Sequence, residues 1–90
     1  MKLKFCDEIE ILFNENEETL IEHKKNREHF RVGGAGSDFL KLVDGERSMD
    51  DIIQKLLEIY GGVEPYILVK DMEGFFQDLT SNGIVEIIAE

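Results

Sequence analysis

Few side chains in this sequence are of the types that do covalent or metal chemistry. There are two histidines, His23 and His29, in a stretch predicted to form a β-hairpin, and a single cysteine, Cys6. A structural zinc site needs four ligands in tetrahedral geometry, and no cluster of further ligands accompanies the histidines, so we interpret both as solvated strand residues. Cys6 has no partner base in sequence reach and no second cysteine, so neither a nucleophile nor an internal disulfide is expected. The sequence therefore predicts no catalytic residue, no metal site and no cofactor.

The glycine-rich segment 32–37 and the many carboxylates offer no stronger case for catalysis. The segment follows a predicted strand and precedes a predicted helix, which is a context that can hold phosphate. It lacks the Walker lysine and the dinucleotide-binding spacing, so we interpret it as a flexible helix entry or a site of close backbone packing. The carboxylates lie on predicted exposed faces, and no acid pair stands out for general acid–base work. We expect a protein that is not an enzyme.

The elements that must position these side chains fall into two parts. Residues 1–32 alternate apolar and polar side chains at a period of two, with apolar residues at odd positions from Leu3 to Phe13. Strands are expected again at 19–23 and 28–32, after polar turns. This pattern predicts a three-stranded antiparallel meander with one apolar face.

The two later strands of this meander allow a more detailed prediction if the loop between them is even in length. One face of the sheet should then carry Ile21, Phe30 and Val32. The other face should carry Leu20, Glu22, His29 and Arg31. One outer strand of such a meander must be an edge strand, which offers unpaired backbone groups to an incoming peptide.

Residues 34–83 carry the spacing of helices instead. The predicted helices are, in order, 39–43, 49–60 and 65–82. Ser48 can cap the second helix while Asp51 reaches back, as in a capping box, and Asn82-Gly83 ends the third. We predict one α+β, winged-helix-like domain over 1–90, with strands at about 1–32, a three-helix bundle at about 34–83 and a short strand at 84–88.

The charge argues against two large classes of partner. Among 90 residues, 20 are acidic and 10 are basic, so the formal net charge is −10. A nucleic-acid binder needs a basic patch to neutralise phosphates, and an anionic membrane surface is disfavoured for the same reason. Residues 1–32 have a net charge of −2 and residues 33–90 a net charge of −8. With one cysteine and no signal-peptide pattern, a cytoplasmic protein is expected.

Several segments between residues 37 and 86 resemble the PqqD family, in the same order and at nearly constant spacing. The run 39–48, FLKLVDGERS, is similar to the family pattern LL-D-G-x-R-[ST], and 50–56 matches the xxEIIxxL that follows. The pattern Y-G-V-[DE]-P resembles 60–65, and D-V-x-x-F-L-x-x-L-x-x-x-G-[LI]-[IV]-E resembles 71–86.

This resemblance implies both a fold and a function. PqqD-like proteins are the precursor-peptide recognition elements of pathways that make ribosomally synthesised, modified peptides. The resemblance implies a winged-helix-like fold and a non-catalytic protein that binds the leader of a precursor peptide and presents the peptide to a maturase, often a radical S-adenosylmethionine (SAM) enzyme. Family members hold the leader as an added strand along the third strand and against the third helix.

Carried onto this sequence, the resemblance places the peptide along the strand 28–32. The expected peptide-binding residues are Glu28, His29, Phe30, Arg31, Val32, Val69, Lys70, Met72, Glu73, Phe75 and Phe76. His29, Arg31 and Lys70 are expected to orient acidic groups of the peptide. Which flank of the third helix faces the peptide stays open.

Two alternatives remain at this point. A winged-helix DNA-binding regulator would share the fold, but the would-be recognition helix has Lys70 as its only basic residue, beside Asp71, Glu73 and Asp78, and would repel phosphate. A small adaptor subunit for another protein is the second alternative. A homodimer through the edge strand also stays open, because an unpaired edge can pair with its own copy.

Overall fold

The computed structural model describes residues 1–15 and 17–88, which form five strands and three helices. In chain order these are β1 (Lys2–Phe5), β2 (Ile9–Asn14), β3 (Glu18–His23), β4 (Glu28–Gly33), α1 (Gly34–Lys41), α2 (Met49–Ile59), α3 (Pro65–Ser81) and β5 (Val85–Ile88). Strands β2, β3 and β4 form a three-stranded antiparallel sheet in that order, and β1 pairs with β5. The fold is therefore α+β, as predicted. The predicted turn at 14–17 includes Asn16, which lies outside the described residues.

The predicted faces of β3 and β4 are confirmed by their register. Ile21 pairs with Phe30, and Thr19 with Val32, so these side chains share one face of the sheet. The connecting turn is four residues long, and Arg27 takes a positive φ of 62° at its end. Because the turn has an even number of residues, the inward and outward side chains of β4 continue the alternation of β3. The faces of both strands could therefore be predicted from the sequence.

The prediction that residues 1–32 form one meander is wrong for the first strand. β1 leaves the three-stranded sheet and pairs antiparallel with β5, with Lys2 opposite Ile88 and Phe5 opposite Val85. On its other side, the backbone of Leu3 bonds to the loop between α1 and α2, donating to Arg47 at 2.9 Å and accepting from Gly45 at 2.8 Å. Both pairings bury Leu3, which is 2% exposed.

The prediction of a single apolar face is also wrong, at Phe13. The β2–β3 register shifts between Ile11 and Phe13, so a bulge interrupts β2 at Leu12. An inserted residue turns every later side chain to the other face. Phe13 accordingly pairs with Leu20 and lies under the guanidinium of Arg31, 5.8 Å from its ring centroid, on the face away from the helices.

The first helix begins earlier than predicted and includes the glycine-rich segment. α1 begins at Gly34, where φ is +59°, and ends at Lys41, so Leu42 and Val43 lie beyond it. The segment is thus a helical turn and not a flexible entry. It allows close packing, which was the other interpretation of the glycines.

The predicted helix boundaries are confirmed where capping residues set them. The Ser48 hydroxyl accepts from the Asp51 N–H at 3.2 Å, and the Asp51 carboxylate accepts from the Ser48 N–H at 3.0 Å, so the capping box is complete. Pro65 stands in the first turn of α3, and Gly83 follows its end with φ of +70°.

One apolar core joins both sheets to the three helices. α1 packs on β3, β4 and α2, whereas α3 packs on α2 and β5. The side chains with the least exposure include Leu3, Ile21, Phe39, Ile52, Leu56 and Val85. Because α1 packs on the three-stranded sheet and α3 packs on β5, the helices do not stand apart as a bundle.

Candidate functional site

Strand β4 is an edge strand whose free side can be assigned residue by residue. The Gly34 N–H donates to the Glu17 carbonyl at 3.1 Å, which makes these two residues a hydrogen-bonded pair. Hydrogen-bonded and non-bonded pairs alternate along an antiparallel ladder. The backbone groups of Glu28, Phe30 and Val32 therefore point to β3. The N–H and C=O groups of the residues between them, His29 and Arg31, point to the free edge.

Of the two edges of this sheet, β4 is the regular one. Its register with β3 runs without interruption over six pairs, from Glu28 to Gly33. The opposite edge, β2, contains the bulge at Leu12, and a bulge is one of the devices that blocks strand addition. An extended peptide can thus pair along β4 with a continuous set of backbone groups.

The helix α3 reaches β4 through Phe75. A Cβ atom placed on Gly36 would lie 2.8 Å from Cγ1 of Val32 and 3.1 Å from Cζ of Phe75, so both side chains pack closely against this glycine. Phe75 also contacts Phe39 edge to face, with ring centroids 5.5 Å apart and an interplanar angle of 89°. Phe39 is fully buried, so this contact fixes the ring of Phe75 beside the end of β4.

A second contact sets the direction of α3 relative to β4. The ring of His23, which pairs with Glu28, lies against Gly83 just beyond α3, with Nε2 3.5 Å from the position of a glycine Cβ. The Glu28 end of β4 is therefore next to the end of α3, and the Val32 end is next to Phe75. From Phe75 to Gly83 a helix rises about 12 Å, and from Glu28 to Val32 a strand rises about 14 Å. α3 therefore runs in the direction opposite to β4.

The predicted α3 residues divide between two flanks of the helix. Met72 is 6% exposed and belongs to the core. Phe76 stands about 100° around the helix from Phe75, and it lines a cavity of about 200 Å³ beside β1 and β5, with Met1, Leu3, Ser48, Met49, Asp50 and Ile87. Val69, seven residues before Phe76, shares its flank. The structure therefore brings Phe75 to β4, and it places Phe76 and Val69 on the other side.

The predicted cationic groups point away from the gap between β4 and α3. His29 Nε2 lies 3.2 Å from the Glu22 carboxylate on the outer face of the sheet. Arg31 pairs with Glu18 on that same face. Lys70 lies over the ring of Tyr66, 5.7 Å from its centroid, on the outer side of α3. Each of these side chains already has a partner within the chain.

Two carboxylates that were not predicted as site residues flank Phe75 instead. Asp71 and Asp78 stand four residues before and three residues after Phe75, which places them on its side of the helix, within about 60° of it. Both are exposed. The i−4 and i+3 spacing was readable from the sequence, but it had no meaning until the flank that meets β4 was known. We call the free edge of β4 and the Asp71–Phe75–Asp78 flank of α3 the β4–α3 face.

Among the described residues, metal-binding side chains do not cluster, and the cysteine thiol has a raised pKa. Among residues 1–15 and 17–88, no group of three or more His, Cys, Asp or Glu side chains could hold a metal ion. Burial and the neighbouring Glu86 raise the pKa of the Cys6 thiol, which keeps it protonated. No helix within these ranges combines the length and apolarity that a membrane crossing requires.

A sheet edge beside a helix is an arrangement at which proteins bind extended peptides, and the comparisons agree with this geometry. Residues 12–85 match the family model described as coenzyme PQQ synthesis protein D (PqqD). The chain belongs to the PqqD family. No curated protein matches its sequence.

Two solved structures have a similar fold over nearly their whole length. The first is described as TbiB1 in complex with the TbiA(beta) leader peptide, at a TM-score of 0.83 and 18% identity, covering 97% of this chain and 99% of that chain. The second is a lasso peptide synthetase B1 complexed with the leader peptide, at a TM-score of 0.80 and 16% identity, covering 97% and 100% of the two chains.

Proposed function

We propose that this protein is a non-catalytic recognition element that binds the leader of a ribosomally synthesised precursor peptide along the β4–α3 face. The observation that carries the proposal is the free, regular edge of β4, which runs opposite in direction to α3 and has Phe75 of that helix packed beside its Val32 end. Membership of the PqqD family supports it, and both structural neighbours are described as complexes with leader peptides.

In this proposal the backbone of β4 sets the register of the peptide. The N–H and C=O groups of His29 and Arg31 pair with the added strand. Phe30 and Val32, both partly buried, and the edge of the Phe75 ring supply the apolar surface under its side chains. Val69 and Phe76 lie on the other flank of α3, so they contact the peptide only where it continues past the helix.

The wider biological setting is part of the same proposal. The protein acts as one winged-helix-like domain in the cytoplasm and presents the bound peptide to a maturase, for which a radical SAM enzyme is the expected class. The three-stranded sheet β2–β3–β4, followed along the chain by three helices, supports the fold assignment. A short precursor peptide and a radical enzyme encoded beside this gene would support the partner assignment, and a neighbourhood with neither would contradict it.

A backbone substitution tests the edge directly. The protein is used to select binders from a phage-displayed library of random 12-residue peptides, and a selected peptide is synthesised and titrated by calorimetry. In Arg31→Pro the N–H that points to the free edge is removed, whereas the bonds from β4 to β3 remain, because Arg31 does not donate to β3. Proline is tolerated at such edge positions. Losing one backbone hydrogen bond should weaken binding by about threefold or more.

The matched control is Arg31→Ala, which removes the same side chain and its contact with Glu18 but keeps the N–H. We expect Arg31→Ala to bind with nearly the affinity of the original protein. Equal binding by the proline and alanine variants would show that the peptide does not pair with this edge. A library that yields no binder also contradicts the proposal.

A further inference from the structure

The charges of the side chains around the β4–α3 face indicate what kind of peptide this face binds. The side chain of Glu28 shares the helix-facing side of β4 with Phe30 and Val32, by the alternation of the strand. Across the gap, Asp71 and Asp78 lie on either side of Phe75. The helix-facing positions of β4 and the Phe75 flank of α3 thus contribute three exposed carboxylates and no lysine or arginine.

The nearby basic side chains do not neutralise this face. His29 and Arg31 have their side chains on the outer surface of the sheet, against Glu22 and Glu18. Arg27 lies 3.7 Å from Glu22 on that surface as well. The turn lysines, Lys24 and Lys25, stand beyond the Glu28 end of the strand. A peptide strand paired along the free edge of β4, beside Phe75, would therefore meet carboxylates from both β4 and α3.

From this charge distribution we infer that the preferred peptide carries lysine or arginine on either side of an apolar residue. The apolar side chain would pack on Val32 and Phe75, and the cations would lie near Glu28, Asp71 and Asp78. This inference rests on the proposed function, and it reverses the expectation from the sequence that basic residues of the site orient acidic groups of the peptide. The strand edge and Phe75 define where the peptide binds, and the surrounding carboxylates determine which side chains the peptide should carry.

Peptides selected from the 12-residue library test the inference by their composition. We expect the selected sequences to be enriched in lysine and arginine relative to the unselected library, at positions adjoining an apolar residue. Exposed charge pairs are weak and screened by salt, so the affinity of a selected peptide should fall by about two- to tenfold in the double variant D71N/D78N, and also between low and high NaCl concentration.

The control is the double variant E8Q/E58Q, which removes two exposed carboxylates, one before β2 and one in α2, without touching the β4–α3 face. Its affinity should stay within about twofold of the original protein. Selected peptides that are neutral or acidic, or unchanged binding by D71N/D78N, would overturn the inference and leave the proposed function standing. Peptides whose binding does not depend on the Arg31 N–H would instead overturn the proposed function.

Discussion

Substituting Gly36 tests how closely β4, α1 and α3 meet. In Gly36→Ala the new Cβ would stand 2.8 Å from Cγ1 of Val32 and 3.1 Å from Cζ of Phe75. Valine is stiff about χ1, and Phe75 is held against Phe39, so neither neighbour yields easily. We expect overpacking to cost about 1–3 kcal/mol.

The intrinsic preference of helices for alanine opposes this cost. Gly36 has no positive φ, so replacing it with alanine gains about 0.5–1 kcal/mol through backbone entropy. The net free energy of unfolding should therefore fall by about 0–2.5 kcal/mol. The matched control is Gly74→Ala, inside α3, where a new Cβ meets nothing within 4 Å. Gly74→Ala should therefore raise the free energy of unfolding by the full amount of about 0.5–1 kcal/mol.

Urea denaturation followed by circular dichroism measures both variants. The difference in free energy of unfolding between Gly74→Ala and Gly36→Ala isolates the steric term and should be about 1–3 kcal/mol. It would appear as a difference in melting temperature of about 4–8 °C per kcal/mol in a domain of this size. Equal stability of the two variants would refute the close approach of Val32 and Phe75 and, with it, the β4–α3 face.

Three further predictions concern capping and ionisation. Ser48→Ala should lower the free energy of unfolding by about 1 kcal/mol in urea titrations, and Ser48→Asp should restore most of it; an unchanged midpoint in Ser48→Ala would contradict the cap. Backbone N–H groups hold the pKa of Asp44 and of Asp51 below the ordinary 3.8. These two carboxylates therefore stabilise the folded state above that pH, and their contribution is lost as the pH falls below it. In an Asp44→Asn/Asp51→Asn variant, the urea midpoint should drop less steeply as the solution is acidified. The hydrogen bond to Asp38 raises the pKa of Tyr60 to about 12, so the folded state is favoured by this group below pH 10 and loses that advantage as the pH rises through 12; absorbance titration of a Tyr66→Phe variant should show this late ionisation, and Asp38→Asn should move it earlier.

Local patterns were enough to predict the part of the fold that depends on neighbouring residues. The faces of β3 and β4 followed from alternation across an even turn, and the capping box at Ser48 set the start of α2. The partner of β1 was not predictable, because Lys2 and Ile88 pair across the whole length of the chain and no local signal links them. The bulge at Leu12 was hidden, since the apolar odd positions continue through it.

In the candidate site, too, the local pattern predicted the elements but not how they meet in the fold. The edge strand was predictable from the order of strands, whereas the register of β4 and the bulge in β2 were needed to choose between the two edges. Helical periodicity placed Phe75 and Phe76 about 100° apart, but it carried no information on which ring meets β4. That assignment comes from Gly36, whose missing side chain lets Val32 and Phe75 pack closely against it.

The pairing of β1 with β5 also bears on the order in which the protein folds during synthesis. β1 is the first of these elements to leave the ribosome and β5 is the last, so β1 can pair with β5 only after almost the whole chain has been made. Contacts between residues far apart in sequence form slowly, because a long loop must be closed first. The β2–β3–β4 hairpins, by contrast, can form as soon as each turn is made. A nascent chain would thus present the edge of β4 before β1 and β5 join to complete the core.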